Sequence, residues 1–304
     1  MNGLVLQGGG TVSEMVVKAR SFLMLSVVVF LWGSSYTLLK LGLEKMSPIN
    51  LAFLRFLLAL PILAVFAYLK GKKILDSSIL QDWKILAVLG LTGVTLYHIF
   101  QNVGLRFTTA SNSSLIISAN PVFIALLAHF YLREKMTWRR VSGIALAFFG
   151  IILIIGPLEI AFNPLGTIGD LLSVGAGLSW AIYSVFSKRI LSKYGAERVT
   201  MFSMIFGALF LFPILLVSEE PALPTSAWIW FLLLILSLLC SGMAYLFWYI
   251  ALEEVSPTKA GVFLFFLPIV SLSLAHLILS ESIDVSFAVG AVFVMLGIVI
   301  TQRS

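Results

Sequence analysis

The sequence predicts an all-α membrane protein of ten transmembrane helices, built as two inverted five-helix repeats with both termini in the cytoplasm. Three observations predict it. Hydrophobic residues make up 60% of the 304-residue chain and charged residues only 11%, where a soluble domain carries about 25% charge. Apolar runs long enough to cross a bilayer recur along the whole chain. The second half repeats the pattern of the first.

A spanning helix needs about 20 apolar residues. On that measure the spans fall near 21–43, 47–69, 84–104, 108–131, 139–157, 168–190, 198–218, 227–251, 257–279 and 285–302. The start, residues 1–17 with Gly8-Gly9-Gly10, reads as a flexible leader. Lys18 and Arg20 then precede an apolar segment with no small-residue cleavage site at its end, so it reads as a retained helix and not a signal peptide. Connections are short and marked by charge or by Pro48, Pro164, Pro221 and Pro257, and none is long enough for a soluble domain.

Orientation follows from the basic residues. With the N-terminus inside, 16 of the 20 Lys and Arg fall on the cytoplasmic side, and Lys40, Lys45, Arg55 and Arg106 fall on the other. That is the positive-inside asymmetry, and a span miscounted mid-chain would scramble it. The net charge of +6 is therefore an orientation signal, and nucleic acid is not expected as a partner. A single cysteine, Cys240, excludes a disulfide framework or a Cys-based metal site and reads as a small packing residue.

A shift of 147 residues sets Ala119-Asn120-Pro121-Val122 on Phe266-Leu267-Pro268-Ile269, and Ala128-His129 on Ala275-His276. It also sets Glu134 on Glu281, Gly143 on Gly290 and Gly150 on Gly297, while a shift of 148 sets Trp32 on Trp180 and Lys40 on Lys188. Two related halves follow, 18–157 and 158–304. Because five is odd, the second half enters the membrane upside down. Inverted repeats of this kind recur in secondary transporters, with the substrate site near the midplane between the halves.

Phe30-Leu31-Trp32-Gly33-Ser34-Ser35 and Arg55-Phe56 resemble the opening of an EamA-type half. Residues 115–121, with Glu134, Gly143 and Gly150, resemble its fourth and fifth helices, and the pattern recurs at Pro268, Glu281, Gly290 and Gly297. From about residue 20 onward the chain resembles the EamA branch of the drug/metabolite transporter (DMT) superfamily. The resemblance implies ten helices around a central cavity and movement of amino acids, related metabolites or drugs, often outward. Ser203 stands where the repeat would place Arg55, so any role of that arginine is not duplicated.

Polar groups inside a membrane are costly and usually face a cavity or a partner helix. His98, Gln101 and Asn102 share one face of the third helix by their spacing, and the repeat puts Tyr245, Trp248 and Tyr249 on the matching face of the eighth. The two faces read as opposite walls of a central cavity, with interhelical hydrogen bonding as the plainer alternative. Trp32, Ser35 and Tyr36 on the first helix, and Trp180, Tyr183 and Ser184 on the sixth, lie too deep for an interfacial belt. They serve either substrate contact or helix packing. Ser118 and Phe263 complete the candidate substrate contacts.

Pro121 and Pro268 cannot donate to the carbonyls of Ile117 and Leu264. These matched kinks are candidate bending points of a gate, or static kinks. Arg55 either attracts a substrate carboxylate, pairs with a carboxylate such as Glu44, or snorkels outward, the last two being the expectation. His129 and His276 lie near opposite membrane faces and read as packing residues that cannot share a metal, while Glu134 and Glu281 are expected to stabilise the helices that follow them.

No Asp or Glu falls in the middle of a span, which favours uncoupled movement or exchange over a carboxylate-based proton pump. His98 is then the mid-membrane group left for proton work. No phosphate-binding glycine loop is present, so ATP is not the expected energy source. A membrane-embedded enzyme would need a nucleophile and base, or clustered metal ligands, and the three histidines are scattered. The expectation is a plasma-membrane transporter exporting amino acids, related metabolites or drugs by alternating access, with no cofactor and with substrate and lipid as partners. Proton-coupled or exchange transport of a sugar or phosphorylated metabolite is the alternative, with a membrane-embedded receptor or scaffold the more remote one.

Overall fold

Hydrocarbon offers no partner to a backbone amide, so apolar runs of this length satisfy their amides internally, as helices. The computed structural model describes residues 12–69, 77–104, 107, 116–117, 119–155, 164–218, 220–279 and 285–303, with no strand among them. The first half contributes α1 (Val12–Leu43), α2 (Pro48–Leu69), α3 (Trp83–Gly104), α4 (Asn120–Leu132) and α5 (Trp138–Ile155). The second contributes α6 (Pro164–Tyr194), α7 (Ala196–Ser218), α8 (Ala227–Glu254), α9 (257–279) and α10 (Val285–Gln302). Among the described residues, stretches of α2, α3, α6, α7 and α8 are by themselves long and apolar enough to cross a membrane.

Three local features depart from the sequence reading. Helix α1 starts at Val12, inside the stretch expected as a flexible leader, because no Pro or Gly interrupts it before Gly33. Helices α3 and α8 each contain a π-helical stretch, Leu91–Leu96 and Leu236–Met243, which overlap under the 147-residue shift. Finally, Pro121 and Pro268 do not kink continuous α-helices. Pro121 sits in the first turn of α4, and Pro268 opens the α-helical part of α9 (Leu267–Leu279) after a 3-10 stretch, Val262–Phe266. A first-turn residue has no intrahelical acceptor for its N–H, so Pro121 loses nothing, whereas Pro268 follows the 3-10 stretch directly and forgoes a bond to it.

Packing runs mainly between the halves. Helix α5 lies along α10 and α2 along α7; α3 packs on α6 and α7, and α8 on α1 and α2; α4 packs on α6, and α9 on α1. Exchanging α1–α5 for α6–α10 maps this set of pairs onto itself. The α5–α10 seam is antiparallel and built on the repeated glycines. A Cβ on Gly143 would stand 2.7 Å from the Gly297 carbonyl oxygen, one on Gly297 2.4 Å from that of Gly143, and one on Gly150 2.6 Å from that of Gly290. Small residues allow this backbone approach, on which helix association in lipid depends.

One end of the bundle is tied by polar links. Arg20 pairs with Glu254 at 3.2 Å, and Ser21 bonds the same carboxylate. Lys188 donates to the carbonyls of Leu252, Glu253 and Val255, closing the last turn of α8, where a cation also meets the negative end of the helix dipole. The Ala196 amide donates to Glu253 as α7 begins, after a turn through Gly195, whose φ of 83° favours glycine. Lys259 and Gln302 bond each other's backbone carbonyls at 3.1 and 2.7 Å. At this end Glu134 also holds Arg140 in the first turn of α5 at 3.1 Å. His129 bonds the Glu134 carbonyl at 2.8 Å, while Glu281 and the His276 side chain lie outside the described residues.

At the same end Lys193 and Tyr194 donate to the Asp82 carboxylate at 2.5 and 2.8 Å. These bonds hold Asp82 below its usual value of 3.8, the Lys193 bond being the larger cause. A depressed carboxylate stabilises the fold above its unfolded pKa and stops doing so as pH falls through the folded one. The thermal midpoint of wild type should therefore exceed that of Asp82→Asn by a constant margin from neutral pH down to about 5. Further acidification should shrink the margin; one that grows on acidification would contradict the latch.

Candidate functional site

Where the halves meet, a cavity of about 40 Å³ is left between the helices. Helix α1 contributes Trp32, Ser35 and Leu39, and α3 contributes Tyr97, His98 and Gln101. Single residues enter from four other helices: Arg55, Asn120, Trp180 and Tyr245; Leu264 and Leu267 come from α9. The walls are mostly aromatic. Trp32 and Trp180 meet edge to face with centroids 4.9 Å apart, Tyr97 lies 5.2 Å from Trp180, and Tyr245 lies 5.6 Å from Trp32. Edge-to-face packing is the favoured geometry of such rings.

Residues matched by the repeat touch each other here. Trp32 and Trp180 are one such pair, and His98 and Tyr245 are another, with His98 Nε2 3.3 Å from the Tyr245 hydroxyl. Tyr245 donates its proton to the Gly93 carbonyl at 3.1 Å, so the imidazole must donate to the tyrosine oxygen, which assigns the Nε2–H tautomer. Across the cavity Trp32 Nε1 donates to the Cys240 carbonyl at 2.9 Å. Gly93 and Cys240 are themselves matched by the repeat and lie in the two π-helical stretches. Each π stretch thus offers one carbonyl to an aromatic donor of the other half. Such stretches frequently occur at functional sites.

Arg55 is only 3% exposed. Its Nε donates to Ser241 Oγ at 2.5 Å and its guanidinium carbon stands 5.6 Å from the Phe56 ring centre. Neither structural role expected for it is seen: it does not snorkel, and among the described residues it forms no ion pair, Glu44 being exposed to solvent. Ser241, one residue beyond the Cys240 carbonyl that Trp32 binds, fixes its direction.

Of the candidate contacts, Trp32, Ser35, His98, Gln101, Trp180 and Tyr245 line the cavity. Asn102 turns aside and donates to the Pro48 carbonyl at 3.4 Å. Tyr183 and Tyr249 stack on each other at 4.7 Å, fully buried, and Trp248 packs 5.6 Å from Trp32; none of the three lines the cavity. Phe263 instead meets Phe22 at 5.2 Å. The 3-10 turn explains that displacement: with three residues per turn, Leu264 and Leu267 share the inward face. Ser118 and the Tyr36 side chain lie outside the described residues.

Tyr97, Leu39, Asn120 and the α9 leucines were not singled out as contacts from sequence. Asn120 and Leu267 had a usable signal, since each directly precedes one of the matched prolines. Among the described residues Asn120 Oδ1 and Trp180 Nε1 have no hydrogen-bond partner. No three His, Cys, Asp or Glu gather as metal ligands among those residues either.

Outside the bundle, Phe130, Leu209 and Val217 are among many large apolar side chains left exposed. A helical bundle with an apolar exterior and a buried polar-and-aromatic cavity is an integral membrane protein. The chain belongs to the EamA-like transporter family, whose sequence model matches residues 19–156 and again 167–303. An uncharacterized transporter of Archaeoglobus fulgidus is 34% identical over 94% of this chain and 98% of its own length. The uncharacterized transporter YoaV of Bacillus subtilis is 26% identical over 89% and 92%. A solved crystal structure superposes with a TM-score of 0.80 over 94% of this chain and 97% of its own, at 19% identity, and shares the fold.

Proposed function

We propose that this membrane transporter is a secondary transporter that moves small organic metabolites, amino acids or related compounds, across the plasma membrane by alternating access. In this reading all ten helices span the bilayer, the halves 18–157 and 158–304 are inverted, and both termini are cytoplasmic. Export without ion coupling is the favoured mode. The observation that carries the reading is the meeting of matched residues, Trp32 with Trp180 and His98 with Tyr245, inside one buried cavity. A cavity on the line that relates two halves is where rocking would expose it to each side in turn. The antiparallel α5–α10 seam supports inversion, because Gly143 meets Gly297 while their counterparts Gly290 and Gly150 meet each other. Arg20, Lys188, Lys193 and Lys259, all assigned to the cytoplasm by sequence, gather at the polar-linked end.

At about 40 Å³ the cavity holds a few waters, whereas pockets for small organic ligands run from about 300 Å³. The helices must part to admit a metabolite. Uptake of labelled amino acids into proteoliposomes, with and without an imposed pH gradient, tests the proposal. Selective flux that equilibrates without a gradient is expected; accumulation driven by the gradient would replace the uncoupled mode and direct attention to His98. Tyr245→Phe removes the hydroxyl that joins His98 to the Gly93 carbonyl while keeping the ring. Losing one or two such bonds should lower flux per folded protein by about tenfold. Unchanged flux would remove this hydroxyl from the transport cycle.

A further inference from the structure

We infer that the cavity selects its cargo by a single carboxylate, held by Arg55, with the aromatic walls taking an apolar or planar body. The inference rests on the transport reading for what the cavity does, and deepens it by naming the substrate's charged group.

Three observations point the same way. First, arginine keeps its charge in proteins, and a buried charge without a partner is strongly unfavourable. Arg55 is 3% exposed, bonded through Nε to neutral Ser241, and among the described residues no carboxylate pairs with it. A bound anion would supply the missing counter-charge. Second, the Trp180 indole N–H, on a residue that is 3% exposed and lines the same cavity, is a donor without an acceptor among the described residues. Indole N–H and guanidinium share one requirement, an acceptor oxygen. Third, Arg55 is the one fixed charge among the lining residues described, and no Asp or Glu stands with it.

That last fact narrows the anion. One guanidinium balances one carboxylate, which it can grip through two parallel N–H bonds, whereas a phosphate monoester brings close to two charges. Among the described lining residues no carboxylate answers an ammonium, Asn120 Oδ1 offers only a neutral acceptor, and the Arg55 cation opposes one. An organic acid should therefore bind at least as well as the corresponding amino acid, and much better than an amine.

Binding to the purified full-length protein in nanodiscs, read by tryptophan fluorescence at neutral pH, tests this with four probes that share a phenyl group. These are phenylpropanoate, phenylpropanamide, phenethylammonium and phenethyl phosphate. The carboxylate should bind about tenfold or more tightly than the amide, because charge-assisted bonds are roughly twice as strong as neutral ones. Arg55→Lys should keep part of that preference and Arg55→Gln should abolish it. Should Arg55→Gln fail to fold, the four probes on wild type still decide. Equal binding of carboxylate and amide, or tighter binding of the ammonium or the phosphate, overturns the inference. A carboxylate preference without flux in proteoliposomes would keep the inference and refute transport; flux of amides and amines equal to that of acids would do the reverse.

Discussion

Gly297→Leu is expected to yield little folded protein, and what folds should melt well below wild type. The α5–α10 seam leaves no room at this position: a Cβ would stand 2.4 Å from the Gly143 carbonyl oxygen and 2.6 Å from the Ala147 nitrogen. Both atoms are backbone, so no rotamer change relieves the contact, and the two helices must separate. Overpacking a tight interface costs about 1–3 kcal/mol, and a clash with backbone on both sides belongs at or beyond the upper end. Gly143→Leu should behave alike, since it meets the Gly297 carbonyl oxygen at 2.7 Å from the other side. The two substitutions together should cost less than their sum, because they open the same seam. Val292→Leu on α10, where the side chain is 56% exposed, is the control and should be neutral. Thermal unfolding of the detergent-purified variants measures all four, and a wild-type melt for Gly297→Leu would mean that the helices are not in contact.

Trp32→Ala should lose both stability and transport. Its ring sits among Trp180, Tyr245 and Trp248 at 4.9, 5.6 and 5.6 Å, and its indole N–H carries the bond to the Cys240 carbonyl. Truncating a buried tryptophan typically costs about 3–5 kcal/mol, and here it also leaves a backbone carbonyl without its donor. Trp180→Ala makes an informative comparison. Trp180 packs as deeply, yet its indole N–H has no partner among the described residues, so its removal should destabilise less. Flux per folded protein should fall for both, since both line the cavity. If Trp32→Ala melts like wild type, the bond to Cys240 does not join the halves; if it also transports normally, the aromatic wall is not the substrate surface.

Much of the architecture was legible because hydropathy and small residues report directly on the solvent and on contact distance. The helix positions follow from runs of apolar side chains, and Gly143, Gly150, Gly290 and Gly297, which mark the repeat in the sequence, appear together at the α5–α10 seam. Helical spacing also placed His98 and Gln101 together in the cavity. It failed where the helix was not an α-helix. Phe263, a candidate contact, lies in the 3-10 turn Val262–Phe266 and meets Phe22. Tyr249 and Trp248 share a face with Tyr245 but stand behind it, because a face wider than the cavity has residues that meet only other helices.

The sequence by itself determined that the chain is helical, that it is a membrane protein, and that its two halves are related. Each rests on the residues alone: apolar runs, scarce charges and a repeated pattern. Only the tertiary structure decided that Arg55 is buried with no carboxylate beside it among the described residues, and that the matched carbonyls of Gly93 and Cys240 each receive a donor from the opposite half. The physical reason is that burial and pairing depend on which helices cross. That is set by side-chain packing between residues far apart in the chain, and no local spacing encodes it.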